Sequence, residues 1–436
     1  MGAAKGESVA SARERDFKRR RSIRIRQGIL GSAMATAGAV LVIQFLNITL
    51  PLPSPTSNIS SVSDPGQWAM ISRTFEGSGI VPGESAHIDG RVKWTFETSD
   101  PIVSTPAIKE GRVYLTTHDN RVVALNATTG DLIWEYATAA PVDSSPAVAG
   151  SMVFFGVRNR SVIALDAGTG ELKWEYVTLQ NPTTGSPLVK GGVVYIGSGD
   201  GNIYALDALT GTKRWSHPTL DWITNTPALS DNLLVVSSLD GWVTIYDTDT
   251  GKKRFSFRGL NRLVMGSPII MEETAYIPYR NGLLAAVNIK EKEVLFQSRW
   301  YRLQLQLWLW GISDHPGLPK GVTWVSRLGA TINVTPSADQ DRVYVPTEGG
   351  KLFAIDRLTG QYAWVFDSGA DNLSAPTLVG NIVLLGDSKG QLRAVDKDSG
   401  KEQWALQIAE GSTSAPVLAG GTLYLASKDG TLYAVE

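Results

Sequence analysis

Seven Asp or Asn side chains recur at one place in a repeating unit: Asn126, Asp166, Asp207, Asp247, Asn288, Asp356 and Asp396. Carboxylates and amides in such numbers are what a general-base enzyme or a Ca²⁺ site would draw on. Each, however, opens a turn, mostly of the form Asp-x-x-Thr-Gly, and an Asx-turn accounts for all seven. The four histidines (His87, His118, His217, His315) stand far apart without ligand spacing. His118 falls at a hairpin tip and His217 follows a strand-ending Trp, so both read as solvated loop positions. There is no Cys, which excludes disulfides, thiolate nucleophiles and Cys-based metal sites. No Ser/His/Asp arrangement stands out, and GSGDG at 197–201 is a hairpin turn rather than a phosphate cradle.

Recognition chemistry is better represented than catalysis. An insert at about 297–325 reads QSRWYRLQLQLWLWGISDHPGLPKGVTWV. Leu303, Leu305, Leu307 and Leu309 alternate with Arg302, Gln304, Gln306 and Trp308, which predicts a strand with one polar face. Trp300, Tyr301, Arg302, Trp308, Trp310 and Trp324 crowd the same segment and are the primary candidates for partner binding. Three fates are open: the insert covers its own domain, pairs with the strand edge of a protein partner, or lies in a membrane interface. Trp222 and Trp242 also depart from the repeat and form a second rank of candidates.

The elements that hold these residues come from a repeat of about 40 residues, plain in PIVSTPAIKEGRVYLTTHDNRVVALNATTGDLIWEY at 101–136 and its counterpart at 141–176. Every unit opens on a Ser/Thr/Ala-Pro pair, from Thr105-Pro106 to Ala415-Pro416. Proline, lacking an N–H, is tolerated at the first residue of a strand. Asp200-Gly201, Asp240-Gly241, Asn281-Gly282 and Asp429-Gly430 are pairs suited to two-residue hairpins. Four antiparallel strands of this kind make one blade of an array. The fourth-strand aromatics are read as Trp94, Trp134, Trp174, Trp215, Phe255, Phe296, Trp364 and Trp404, with the extra residues after Phe296. The stretch at 90–98 has no preceding three strands, and the last unit has no fourth. The expected fold is therefore an all-β, eight-bladed β-propeller over 90–436, closed by pairing its N- and C-terminal strands.

Thirteen Trp and 44 Gly suit such a turn-rich protein. The net charge of −1 is unevenly split: residues 1–27 are strongly basic and the remainder mildly acidic. Nothing in the propeller resembles an electrostatic footprint for nucleic acid. Residues 28–50 are mostly apolar and uncharged, long enough for a transmembrane helix (a signal anchor). Lys18, Arg19, Arg20, Arg21, Arg24 and Arg26 precede it, which puts residues 1–27 in the cytoplasm and the propeller across the membrane, in the periplasm or outside the cell. The competing reading is a cleaved signal peptide, with Ala33-Met34-Ala35 as a small-x-small site. Residues 51–89 read as a Pro/Ser-rich linker and lead-in, able to let the propeller move relative to its anchor.

The runs VIALDAGTGELKW at 162–174, IYALDALTGTKRW at 203–215 and LFAIDRLTGQYAW at 352–364 resemble the PQQ-like (pyrroloquinoline-quinone enzyme repeat) β-propellers. QWAMISRTFEGSG at 67–79 is similar to a Trp-x-Met segment that often precedes them. That family includes quinoprotein dehydrogenases and the scaffolding propeller of the bacterial outer-membrane β-barrel assembly machinery, so the resemblance leaves function open. A dehydrogenase would need PQQ, Ca²⁺ and a catalytic Asp; many carry adjacent cysteines and longer loops, which this chain lacks. The resemblance therefore favours the scaffold: a membrane-anchored, exported, non-catalytic propeller that holds an envelope or membrane protein partner and needs no cofactor. A quinone-dependent dehydrogenase and a cell-wall or glycan-binding module are the alternatives.

Overall fold

The computed structural model describes residues 51–81, 88–178, 180–219, 221–258, 263–292, 297–314, 316–408, 414–427 and 429–436. No helix among the described residues is long and apolar enough to cross a membrane. The 28–50 stretch expected to do so lies outside them.

Eight antiparallel sheets form the propeller. Blade 1 spans 107–137, and blades 2 to 7 follow at 147–177, 188–218, 228–258, 269–327, 337–367 and 377–407. Blade 8 takes three strands from 417–435 and its outer strand, Val92–Glu97, from the other end of the domain. Trp94 pairs with Ala434, and Arg91 and Glu436 exchange both main-chain hydrogen bonds. The expected closure is therefore present, and it removes the exposed edge an open array would carry.

The repeat's consensus residues join neighbouring blades. Trp134, on the outer strand of blade 1, lies flat on Gly170 of blade 2, where a Cβ would meet the ring at 2.7 Å. Its indole N–H donates to the Ala167 carbonyl at 3.0 Å. Trp94, Trp174, Trp324 and Trp364 repeat both contacts on the next blade round. Each of these turn glycines also has a φ near +75°, which disfavours any other residue. The Asp-x-x-Thr-Gly turn is thus shaped for its neighbour's tryptophan as well as for its own chain.

Two expectations need correction here. The hairpins have three-residue loops: Ser198 and Asn202 bracket Gly199–Gly201, Gly201 N–H bonds back to Ser198, and only the glycine of the Asp-Gly pair has positive φ. A type I turn followed by a left-handed glycine explains why Asp200 need not be left-handed. The fourth strand of blade 5 is Val322–Arg327, not the neighbourhood of Phe296, a residue outside those described. Trp324 packs on Gly360 as the other spacers do, so the insert runs between the third and fourth strands of blade 5.

Candidate functional site

The seven Asp and Asn side chains are engaged locally. Asp166 Oδ1 accepts from Gly168 N and Thr169 N at 2.9 and 3.1 Å; Asp356 Oδ1 accepts from Leu358 N, Thr359 N and the Thr359 hydroxyl. Asn126, Asp207, Asp247, Asn288 and Asp396 cap their own turns in the same way. The Thr359 and Ser399 hydroxyls and backbone N–H groups hold Asp356 and Asp396 below the usual carboxylate range. Among the described residues no three His, Asp or Glu side chains gather as a metal site. His118 and His217 are half-buried and engaged rather than fully solvated. His118 Nε2 bonds Asp143 at 2.5 Å, and His217 donates to the Gly251 carbonyl while stacking on Tyr246.

The inner rim of the ring is lined by the chain itself. From Gly66 to Val81 the lead-in circles the inner rim in blade order. Gly66 abuts Gly420 of blade 8, and Trp68 exchanges both main-chain hydrogen bonds with Ile108 of blade 1. The carbonyls of Ala69, Phe75, Glu76, Ser78 and Gly79 then accept from Val148, Leu229, Ile270, Ala338 and Leu378 on the inner strands of blades 2, 4, 5, 6 and 7. Blade 3 is met by Ser61, which donates to Val189. Ile80–Val81 extends blade 7 as a parallel fifth strand. Inside this collar Arg73 is buried, and its guanidinium donates to the carbonyls of Asp64, Gln67 and Ile80. The collar satisfies inner-edge N–H groups that would otherwise face an open shaft. Residues 54–81 are therefore not a free linker: Thr56 bonds the Asp207 carboxylate, and Ile59 accepts from Gly192 before the collar begins.

This collar bears on the cofactor question. A planar quinone with Ca²⁺ needs a chamber lined by carboxylate and amide oxygens. Here the inner rim carries the buried Trp68, Ala69 and Met70 together with Arg73. These side chains are not the carboxylate and amide oxygens that Ca²⁺ takes.

The insert is a helix, α1, at Gln297–Leu309, in place of the expected strand. Residues 297–310 contain no β-branched side chain and are rich in Leu, Gln and Arg, good helix formers. Gly311, with φ +70°, ends it: Gly311 N bonds Trp308 O and Ile312 N bonds Leu307 O, a Schellman cap. The neck is pinned where the chain leaves and rejoins the blade. Asn288 N bonds Gly321 O at 2.8 Å, and Lys320 meets Glu291 at 2.7 Å, holding that carboxyl below its usual range. Lys290 reaches Asp231 of blade 4 at 3.1 Å.

The aromatic candidates separate in space. Trp300 and Trp310 are 60% and 67% exposed, with Trp308, Leu303, Leu309 and Ile312 also exposed. Tyr301 donates its hydroxyl to the Gly317 carbonyl at 3.0 Å. Arg302 lies on the helix. Trp324 is buried as a blade spacer and is withdrawn from the surface set. Trp222 is 46% exposed on the link into blade 4, and Trp242 begins that blade's third strand with its indole nitrogen buried. In an antiparallel blade, first-to-second and third-to-fourth turns fall at one end and the remaining connections at the other. Helix α1 and the Thr56–Asp207 junction thus share one face, here the tether face, while Trp222 and Trp242 lie at the opposite one.

The fold is shared with solved structures. The crystal structure of BamB from Moraxella catarrhalis matches with a TM-score of 0.63 and 19% identity over 79% of this chain and 96% of that one. The quinohemoprotein alcohol dehydrogenase ADHIIG from Pseudomonas putida HK5 matches with a TM-score of 0.67 and 18% identity over 85% and 78%. A Rickettsia prowazekii (strain Madrid E) chain, "Uncharacterized protein RP232", is 24% identical over 162 residues, covering 36% of this chain and only 35% of its own length. The family described as outer membrane protein assembly factor BamB matches residues 83–219, 177–301 and 309–436, and the chain belongs to that family.

Proposed function

We propose that the protein is a membrane-anchored, exported scaffold that binds a protein partner in the cell envelope and performs no chemistry of its own. The observation that carries this reading is the state of the places where chemistry would be done. The Gly66–Val81 collar lines the inner rim, and the recurrent Asp and Asn side chains are turn caps. What is left is a closed, rigid ring with two differently furnished faces, the form expected of a presenting surface. Family membership supports a protein partner. The face opposite the Thr56–Asp207 junction is proposed as the one that meets the partner. Trp222 is the aromatic best exposed there.

The chain has no native cysteine, so Trp222→Cys gives a unique crosslinking handle in intact cells. A discrete protein adduct identified by mass spectrometry supports the reading. Absence of any adduct from this position, with the protein expressed and folded, contradicts it.

A further inference from the structure

We propose that helix α1 is a second, peripheral membrane contact: it lies in the bilayer interface on the same side as the chain's anchor and fixes the ring's orientation. The inference rests on the anchor reading above. Two independent observations carry it. First, the helix and the turn after it display Trp300, Leu303, Trp308, Leu309, Trp310 and Ile312 to solvent, large apolar side chains gathered on one segment, as at a binding region. Residues 294–313 contain two arginines and no acid, whereas the propeller as a whole is mildly acidic. Trp beside Leu without acidic residues suits the headgroup level of a bilayer, where the indole sits with its ring in the acyl boundary and its N–H in the wet layer.

Second, topology and chain length single out the same face of the ring. The apolar stretch ends at Leu50, and the chain is pinned to the ring at Thr56 by the Asp207 carboxylate. That interval reaches at most about 20 Å fully extended. Asp207 opens a third-to-fourth-strand turn, and α1 replaces the same turn two blades on. The Thr56 pin and the helix therefore lie on one face of the ring, the face at which the chain from residue 50 joins it. With its neck braced by Glu291–Lys320 and Asn288–Gly321, the helix projects from a fixed base.

The test uses the full chain reconstituted in phosphatidylethanolamine/phosphatidylglycerol vesicles containing nitroxide-labelled lipid. A fluorophore is placed on Trp310→Cys or, separately, on Trp222→Cys. An interfacial helix sits roughly 5–10 Å deep, so the label at 310 is expected to be quenched about twofold while that at 222 is unchanged. Equal quenching at the two positions overturns the proposal. Carbonate extraction of the same vesicles reports on the anchor separately. A chain that washes off sinks the anchor reading, and a chain that stays while position 310 is unquenched sinks this inference alone. The labelled variants must keep the parent melting temperature, as exposed positions should.

Discussion

The turns that join the third and fourth strands of blades 3 and 5 begin alike and end alike, and almost nothing between them is alike. In blade 3, Asp207 N bonds Thr212 O at 2.8 Å, and Gly211 receives Trp174. In blade 5, Asn288 N bonds Gly321 O at the same distance, and Gly321 receives Phe255. Between these closures blade 3 has a tight Asx-turn whose carboxylate is fully engaged, and blade 5 has helix α1. The fold constrains only the ends of this connection, because those ends pack against the preceding blade. Whatever lies between is free to serve another purpose, and in blade 5 it is a helix faced with tryptophan.

That contrast can be broken most severely from within the insert's own neighbourhood. Trp324→Ala removes a buried spacer and should lower unfolding stability by about 3–5 kcal/mol in denaturant titration. Arg73→Met takes the hub out of the collar and leaves carbonyls unpaired. It should cost about 2–3 kcal/mol, with faster hydrogen exchange at Val148, Leu229 and Leu378, whose N–H groups the collar caps.

A smaller effect comes from acid. The folded-state values of Asp166, Asp356 and Asp396 are depressed, and Asp119, whose burial alone would raise it, is held at about 2 by Arg121, Thr117 and Ser99. Stability from depressed carboxylates is complete above their unfolded values near 4 and is lost as pH falls through the folded ones. The denaturation midpoint should therefore be flat from pH 7 to about 5 and drop between about 4 and 2. The smallest effect is expected at the exposed end: Trp310→Ala should change stability by less than about 0.5 kcal/mol. If Trp310→Ala destabilised as much as Trp324→Ala, the helix would be part of the core and the contrast would fail.

The ring and its closure were legible because blade packing writes itself into residue type: a Trp, a later turn glycine, an Asp or Asn. The same rule would have located the insert. Trp324 stands as far before Gly360 as Trp134 does before Gly170, whereas nothing comparable follows Phe296. Counting aromatics by their distance from the previous one chose the wrong residue, since that count cannot see an insertion inside a blade. The Leu alternation in α1 misled for a different reason. Period two over so short a stretch is weaker than the absence of β-branched residues and the glycine cap at 311. The collar was not legible at all, because backbone carbonyls make it and side chains hardly signal them.

On the proposed arrangement the two faces of the ring look in opposite directions, one to lipid and one to a partner. The most direct test is modification of single cysteines at 310 and 222 by a bulky, membrane-impermeant maleimide, in vesicles carrying only the purified full chain, before and after detergent. The account predicts that position 222 reacts at once and position 310 only after detergent is added. Equal reaction at both positions before detergent would contradict it.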